Sequence, residues 1–289
     1  MKLQKIKLYL KLIRVKHYIK NLLIFLPLIF SMQFYNIDNV VKTFICFIIF
    51  SIVCSIVYII NDINDKDKDK KHPKKCNRPI ASGEVTLKEA YGLIVFLIIL
   101  IIFISILIKN NIYTYGVLVF YLVLNIFYSK FLKNIPIVDI ICLVIGFVLR
   151  VIYGALIINV EVSNWLYLTI ISLSFYLALG KRRNELQSGT NTRKVLKFYN
   201  KDFLDKNMYM FLSLMVVFYS MWCVDSSNIV KFGNSLIFTV PILLLIAMKY
   251  SLNIEGNSNG DPVEVLFSDK ILIILIIIYI IIMGLIVLI

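Results

Sequence analysis

Residues 61–79, NDINDKDKDKKHPKKCNRP, form a dense cluster of acids and bases that directly follows an apolar segment at residues 40–60. If the helix of that segment continues through the cluster at about 100° per residue, Asp67 points away from four other polar side chains. Those four share one face: Asn61, Asp62, Asp65 and Asp69. Carboxylate and amide oxygens on one face can hold Mg²⁺, which proteins usually bind with help from substrate phosphates. The stretch therefore predicts chemistry on an anion, with a solvated charged loop as the alternative.

The rest of the chain is dominated by apolar residues. Of its 289 residues 60% are hydrophobic, the mean hydropathy is +0.86 and the formal net charge is +14. This composition excludes a soluble globular domain and predicts an all-α, polytopic membrane protein with one domain over residues 1–289. Nine stretches are long enough to cross, or nearly cross, a bilayer: 21–35, 40–60, 90–108, 112–128, 136–158, 164–180, 208–224, 233–250 and 270–289.

The distribution of basic residues predicts the orientation. Of the 31 Lys and Arg residues, 27 lie in five segments: 1–20, 62–88, 129–135, 181–207 and 249–270. By the positive-inside rule these segments face the cytoplasm, so the N-terminus is cytoplasmic and the C-terminus is outside. The predicted location is the plasma (inner) membrane. Residues 1–20 are amphipathic and basic without a signal-peptide cleavage site, which predicts an interfacial helix. Residues 62–88 and 181–207 are the predicted active-site loops.

The second of these loops begins with GKRRNELQ at residues 180–187. On a continuing helix Lys181, Arg182 and Glu185 share one arc, and Arg183 lies opposite. One acid beside two cations suits a phosphate better than a metal alone, because arginine and lysine both bind phosphate oxygens. The alternative is a basic anchor that closes the membrane span at the cytoplasmic side.

The fifth apolar stretch contains two charged residues, Asp139 and Arg150. Gly146, Tyr153 and Gly154 fall on the same helical stripe. Asp139 and Arg150 are eleven residues apart, roughly 16 Å along a helix, so each needs its own partner. Charged groups inside a span normally face the protein interior or a wet cavity, which predicts a polar cavity open to the cytoplasm. A buried structural ion pair with another helix is the alternative for Arg150.

Six ordered segments resemble the UbiA superfamily of intramembrane prenyltransferases: RVKHYIKNLLIFLPL (14–28), NDINDKDKDKKHPKKCNRPIASG (61–83), YSKFLKNIPIVDI (128–140), GFVLRVIYG (146–154), GKRRNEL (180–186) and GDPVEVLFSDK (260–270). The acidic motif of 61–69 matches the superfamily's N-D-x-x-D-x-x-x-D. The six segments together are most similar to the branch that transfers phosphoribose to polyprenyl phosphate. The resemblance implies nine transmembrane helices around a central polar cavity opening to the cytoplasm.

The resemblance also implies the chemistry. Mg²⁺ would be held by Asn61 and by the catalytic carboxylates Asp62, Asp65 and Asp69. The superfamily's second Asp-rich motif is replaced here by GKRRNEL, and Lys181 and Arg182 would balance the extra 5-phosphate of phosphoribosyl diphosphate. The implied substrate-binding residues are Arg14, Lys16, Lys20, Asn21, Asn61, Arg78, Tyr128, Lys133, Asp139, Arg150, Lys181, Arg182 and Glu185.

The predicted partners are phosphoribosyl diphosphate, a polyprenyl phosphate and the membrane, with no nucleic acid and with a homo-oligomer left open. Two other functions compete with phosphoribosyl transfer. The first is a prenyltransferase that uses a prenyl diphosphate to alkylate an aromatic or quinone precursor. The second is a transporter or channel, against which the concentration of formal charge on the cytoplasmic side argues, since no comparable cluster lies outside.

Overall fold

The computed structural model describes residues 2–71, 75–108, 111–187, 193–256 and 261–288, and side chains from residue 5 onward. Within these ranges the regular elements are all helical. The α-helices are α1 Lys2–Leu12, α2 Leu26–Phe30, α3 Ile37–Asn64, α4 Lys66–Lys70, α5 Leu87–Leu107, α6 Ile112–Lys130, α7 Val138–Ile158, α8 Asn164–Gln187, α9 Lys201–Cys223, α10 Ser226–Phe232, α11 Val240–Glu255, α12 Pro262–Ser268 and α13 Lys270–Leu288. The 3₁₀ segments are Val15–Phe25, Gln33–Tyr35, Lys75–Asn77, Leu132–Asn134, Lys194–Phe198 and Gly233–Thr239.

Helix α3 carries the first half of the acidic motif. It begins after Asn36, whose side chain accepts hydrogen bonds from the backbone N–H groups of Asp38 and Asn39 and caps the first turn. It ends at Asn64, because Asp65 leaves the helical conformation with φ −96° and ψ 7°. Its 28 residues span about 42 Å, more than the ~30 Å hydrocarbon core of a bilayer. The helix can therefore cross the membrane and still carry its last polar turns beyond it.

Six helical segments are long and apolar enough to span a membrane: α3, α5, α6, α7, Ser226–Glu255 and α13. The predicted stretch at 164–180 lies within α8, and that at 208–224 lies within α9 except for its last residue; both helices also carry charged turns. The stretch at 21–35 is divided between 3₁₀ and α conformations. Nine transmembrane helices and the central cavity therefore stay predictions, while the all-α prediction is confirmed for the described residues.

Several predicted boundaries change. Residues 62–64 belong to α3 and residues 181–187 to α8, so both expected loops begin with helix. Residues 201–207 are likewise helical, in α9. The expected interfacial helix over residues 1–20 stops at Leu12, because Arg14 adopts a left-handed conformation with φ 54° that an α-helix cannot continue. The chain resumes as the 3₁₀ segment from Val15.

By its backbone contacts the chain divides into two compact units, and α7 supplies residues to both. The first unit comprises residues Met1–Leu28, Gln33–Lys130 and Arg150–Val160. Its core is an aliphatic cluster built mainly from α3, α5 and the 80–85 segment: Leu12, Ile52, Ile56, Ile59, Ile80, Val85, Ala90 and Leu97. A Cβ added at Gly154 would lie 2.1 Å from the backbone oxygen of Ile24, so the absence of a side chain there lets α7 approach the first 3₁₀ segment.

The second unit comprises residues Ile29–Met32, Phe131–Leu149 and Glu161–Ile289. Its main packing interface joins α8 and α9, where the rings of Phe175 and Phe211 stack with centroids 4.3 Å apart. The hydroxyl of Tyr219 on α9 lies 2.6 Å from that of Thr239 and 2.9 Å from that of Tyr279 on α13. Aromatic packing and buried hydroxyl pairs therefore hold the long helices of this unit together.

Candidate active site

The first unit contains two buried carboxylates and two arginines, which we call the first charge cluster: Arg14, Asp62, Asp69 and Arg78. The Nη1 group of Arg78 donates to Asp62 Oδ1 at 3.1 Å and to Asp69 Oδ2 at 2.6 Å. The Nη2 group of Arg14 donates to the same Asp62 oxygen at 2.5 Å. Both carboxylates are buried, whereas the side chains of Arg14 and Arg78 are 22% and 28% exposed. The cations are therefore the members of the cluster that reach solvent.

The backbone between α3 and α4 explains why Asp62 and Asp69 meet. The N–H of Asp65 donates to the carbonyl of Asn61 at 2.9 Å, and the N–H of Asp69 donates to the carbonyl of Asp65 at 2.8 Å. Helical hydrogen bonding thus continues past the irregular residue, and the helical periodicity is nearly kept. Asp67 is exposed, as the single-face prediction requires.

Asp65 differs from the two buried acids. Its carboxylate is half-buried and lies 3.7 Å from the ammonium group of Lys68. Asn61 is also half-buried, one residue before Asp62. Among the described residues, no three Asp, Glu, His or Cys side chains are grouped so as to hold a metal ion. A third carboxylate at the predicted metal site, and the amide of Asn61, therefore stay predictions.

The pair Asp62 and Asp69 nevertheless fits Mg²⁺. Two carboxylate oxygens lie within hydrogen-bond distance of one nitrogen of Arg78, so both can face one cation. Mg²⁺ is commonly bound by one or two carboxylates, with water and substrate phosphates completing its coordination. The donor set is the hard-oxygen type that this ion prefers. The first charge cluster can hold Mg²⁺ provided that a phosphate supplies further ligands.

Arg150 lies in the first unit and is buried. Its Nε group donates to Asn21 Oδ1 at 2.7 Å, and its Nη2 group donates to the hydroxyl of Tyr121 at 3.2 Å. The guanidinium also lies 5.1 Å from the ring centroid of Phe50. Arg150 therefore has its own partners, as the spacing from Asp139 predicted, and these contacts are with neutral side chains. The sequence had suggested a wet cavity as the partner, whereas protein groups make these contacts.

The second unit contains a different arrangement, which we call the second charge cluster: Asp139, Arg182, Glu185, Arg193 and Tyr199. The Nε group of Arg182 donates to Asp139 Oδ2 at 2.5 Å, and its Nη1 group donates to Glu185 Oε2 at 2.8 Å. The Tyr199 hydroxyl donates to Asp139 Oδ1 at 2.6 Å. The side chains of Arg182 and Asp139 are both 0% exposed. Here the cation and one acid are fully enclosed.

Glu185 and Lys181, near the end of α8, are partly exposed. Arg193 Nε lies 3.2 Å from Glu185 Oε2. Burial acts to raise the pKa of Glu185, but the cations Arg182, Arg193 and Lys181 outweigh it and hold that pKa below its ordinary value. Glu185 is therefore ionised near neutral pH. Lys181 lies 3.4 Å from Asp261 at the start of α12.

This geometry bears on the joint role predicted for Lys181 and Arg182, which stays a prediction. The sequence placed both cations on one arc for a phosphate, but Arg182 is enclosed and already donates to two carboxylates. Only one of the pair, Lys181, is partly open to solvent. In this structure Arg182 pairs with Asp139 and Glu185.

Four other predicted substrate-binding residues lie outside the two charge clusters. Lys16 is exposed in the first 3₁₀ segment, whereas Lys20, Tyr128 and Lys133 are half-buried. Lys133 lies in the second unit and the other three in the first. Their roles in substrate binding stay predictions.

Sequence reasoning missed Tyr199, Arg193 and Tyr121. Tyr199 accepts a hydrogen bond from the N–H of Ile137 at 2.6 Å and contacts a carboxylate 60 residues away in the chain. Burial and the hydrogen bond to Asp139 raise the pKa of Tyr199 above its ordinary value. A tyrosine among ordinary surface residues carries no local signal of such a contact. The need of the intramembrane Asp139 for a partner was the available clue.

Residues 22–267 match the UbiA prenyltransferase family. The decaprenyl-phosphate phosphoribosyltransferase of Corynebacterium glutamicum is 30% identical, over 91% of this chain and 81% of that protein. The protein of the same name from Mycolicibacterium smegmatis is 29% identical, over 91% of this chain and 87% of its own. The fold resembles a UbiA homologue from Archaeoglobus fulgidus solved with GPP and Mg²⁺, with a TM-score of 0.69, 17% identity and coverage of 98% and 100% of the two chains. The chain therefore belongs to the UbiA prenyltransferase family, as an integral membrane transferase.

Proposed function

We propose that this protein transfers 5-phosphoribose from phosphoribosyl diphosphate to a polyprenyl phosphate. The observation that carries the proposal is the similarity, over nine tenths of the chain, to two relatives that are both named decaprenyl-phosphate phosphoribosyltransferase. The basic GKRRNEL segment supports it, because a donor with an additional phosphate needs more positive charge than a prenyl diphosphate does.

The first charge cluster supplies the groups for a diphosphate. Asp62 and Asp69 would hold Mg²⁺, and the bound ion would neutralise the charge that develops on the departing diphosphate. Arg14 and Arg78 reach solvent beside these carboxylates and can donate to phosphate oxygens. Asp65 and Asn61 are the further predicted ligands.

The proposed reaction is a substitution at C1 of the ribose. The bond between C1 and the diphosphate oxygen breaks, and its electron pair leaves with pyrophosphate. A phosphate oxygen of the lipid attacks C1 from the opposite face and forms the new bond. An anionic phosphate nucleophile needs little help from a general base, so the protein's main task is to bring two anions together. Cationic side chains such as Arg14 and Arg78 serve that task.

The proposed location is the cytoplasmic face of the plasma membrane, with the N-terminus inside and the C-terminus outside. The positive-inside distribution of Lys and Arg supports this orientation. The donor is a charged, water-soluble sugar, so the reacting groups must meet at an aqueous surface that a lipid phosphate can also reach.

A second function, prenylation of an aromatic or quinone precursor, is favoured by the match of residues 22–267 to the UbiA prenyltransferase family. The Archaeoglobus fulgidus homologue of similar fold was solved with GPP and Mg²⁺. At 17% identity that likeness shows the fold alone. The comparisons offer no support for the transporter or channel alternative.

The test incubates purified protein and short polyprenyl phosphates with phosphoribosyl diphosphate labelled in its 5-phosphate. We expect label to enter the organic phase, EDTA to abolish the transfer, and Mg²⁺ or Mn²⁺ to restore it. Asp69→Ala should lower the rate at least roughly ten- to a hundredfold, since it removes a charged ligand. Asp67→Ala is the matched control and should be nearly silent, because Asp67 is exposed.

Label that stays in the aqueous phase would contradict the proposed donor or acceptor. Parallel incubation with a labelled prenyl diphosphate and 4-hydroxybenzoate, as an aromatic acceptor, then tests the second function. Full transfer in excess EDTA would show that the carboxylates serve another purpose. Equal losses from Asp67→Ala and Asp69→Ala would contradict the single-face arrangement.

A further inference from the structure

The arginines of the first charge cluster hold carboxylate oxygens that a divalent cation would also use. Arg78 Nη1 contacts one oxygen of Asp62 and one of Asp69, and Arg14 Nη2 contacts the same oxygen of Asp62. A guanidinium carries no lone pair to offer a metal and repels it electrostatically. An oxygen atom that binds a metal at about 2 Å also loses most of its capacity for two further donors. Cation and guanidinium therefore compete for these carboxylates.

We infer that Arg78 is an exchange residue: it holds Asp62 and Asp69 when no cation is bound, and it moves to the donor's diphosphate when the cation binds. The inference rests on the proposed function only in assigning a diphosphate to this cluster. Its consequence is that the cation and the diphosphate bind together, each strengthening the other.

The formal charges support this coupling. The two carboxylates and two guanidinium groups of the cluster sum to zero. A divalent cation alone would leave four positive charges beside two negative ones in a partly buried place, which is unfavourable. A diphosphate brings the missing negative charge and accepts the hydrogen bonds that Arg14 and Arg78 give up. The structure thus favours binding of both ligands over binding of the metal alone.

The partial exposure of the Arg78 side chain also supports the exchange. The backbone of Arg78 is fixed, because its N–H donates to Lys75 and its carbonyl accepts from Ser82 at 3.0 and 2.8 Å. Its side chain is 28% exposed, so the guanidinium can change partners without a change in the backbone. Arg182, enclosed between two acids, has no such freedom.

The test measures binding of Mn²⁺ alone to purified wild type and Arg78→Gln, from the paramagnetic resonance signal of free Mn²⁺. We expect Arg78→Gln to bind Mn²⁺ at least roughly tenfold more tightly, because the competing charge-assisted bonds are gone. Arg14→Gln should show a smaller gain, since Arg14 occupies Asp62 but leaves Arg78 on both acids. Lys70→Gln is the matched control: it removes one positive charge from the exposed side of α4 and should change Mn²⁺ affinity much less.

Repeating the titration with pyrophosphate measures the coupling, after a protein-free titration has corrected for Mn²⁺ bound by pyrophosphate in buffer. In wild type, pyrophosphate should raise Mn²⁺ affinity at least roughly tenfold, and by linkage Mn²⁺ should raise pyrophosphate affinity equally. In Arg78→Gln the coupling should fall severalfold.

An Mn²⁺ affinity in Arg78→Gln equal to or below that of wild type would overturn the inference. If that variant does not fold, absence of coupling in wild type, or no gain in Arg14→Gln, overturns it equally. These outcomes are independent of the donor assay, because pyrophosphate is common to phosphoribosyl and prenyl donors. Failure of the proposed function would leave the binding result unchanged.

Discussion

The two charge clusters use the same residue types in opposite ways. In the first, the carboxylates of Asp62 and Asp69 are buried and the arginines reach solvent. In the second, Arg182 and Asp139 are both fully enclosed, and the acid Glu185 lies nearer to solvent. Burial thus decides which ionic partner can be exchanged. Under the proposed exchange, a partly exposed arginine leaves a carboxylate for a phosphate more readily than an enclosed one does.

This difference in burial distinguishes a cluster suited to ligand binding from a cluster that stabilises the arrangement of helices. Enclosing an ion pair costs desolvation free energy and gives little net stability, but breaking such a pair is expensive. The pair of Arg182 and Asp139 therefore fixes the geometry of α7 and α8 within the second unit. The first charge cluster is built from contacts to partly exposed cations, and its net stabilisation is small. We assign ligand exchange to the first cluster and rigidity to the second.

The largest expected difference between the clusters concerns stability. Arg182→Ala removes the guanidinium from the enclosed carboxylate of Asp139 and should lower the free energy of unfolding by about 3–5 kcal/mol. Arg78→Ala should cost less, about 1 kcal/mol, because the side chain of Arg78 is 28% exposed and water can enter the place that it leaves beside the two buried carboxylates. Apparent melting temperatures of the purified variants in detergent compare the two.

A double variant sharpens this comparison. Asp139→Leu combined with Arg182→Met removes both enclosed charges and should recover much of the stability lost in Arg182→Ala. Equal destabilisation by Arg78→Ala and Arg182→Ala would show that the clusters do not differ as we describe.

Helical periodicity allowed much of the first cluster to be predicted. The face that carries Asp62 and Asp69, and excludes Asp67, follows from a helix that keeps its hydrogen bonds past Asp65. The separation between Asp139 and Arg150 correctly predicted that each has its own partner. Both predictions concern residues of one helix or one continuous stretch, where spacing in sequence fixes spacing in three dimensions.

The partners themselves could not be predicted. Arg182 meets Asp139 across 43 residues, and Arg14 meets Asp62 across 48. Periodicity assigns a residue to a face, but the neighbour of that face depends on how helices pack. The same limit explains why Lys181 and Arg182 seemed equivalent: they are adjacent in sequence, and their difference in exposure arises from tertiary packing.

The second-largest expected effect concerns recognition of the donor by Lys181. If Lys181 binds the 5-phosphate, Lys181→Ala should weaken phosphoribosyl diphosphate binding by about 1.5–3 kcal/mol, roughly ten- to a hundredfold, and should leave pyrophosphate binding nearly unchanged. Competitive inhibition of transfer by pyrophosphate and by ribose 5-phosphate measures both affinities. Lys194→Ala, at an exposed residue, is the control and should alter neither. Equal loss of pyrophosphate affinity would mean that Lys181 binds the diphosphate instead.

The smallest expected effect concerns Tyr199→Phe, which removes one hydroxyl from the second cluster and keeps the ring that stacks on Phe203. The variant loses the hydrogen bonds to Asp139 and to the N–H of Ile137, so its free energy of unfolding should fall by about 1 kcal/mol.

The stabilising effect of the Tyr199 hydroxyl should depend on pH. Because the folded protein raises the pKa of Tyr199, the contribution of the hydroxyl to stability is fully present below the ordinary tyrosine pKa of about 10 and is lost as pH rises through the raised value. The difference between wild type and variant in melting experiments should therefore stay constant from about pH 6 to 9 and shrink at higher pH. Tyr209→Phe, whose hydroxyl bonds the carboxylate of Glu255 at an exposed site, is the matched control and should change stability by less than about 0.5 kcal/mol. A cost for Tyr199→Phe no greater than that of the control would show that Arg182 holds Asp139 without help from the tyrosine.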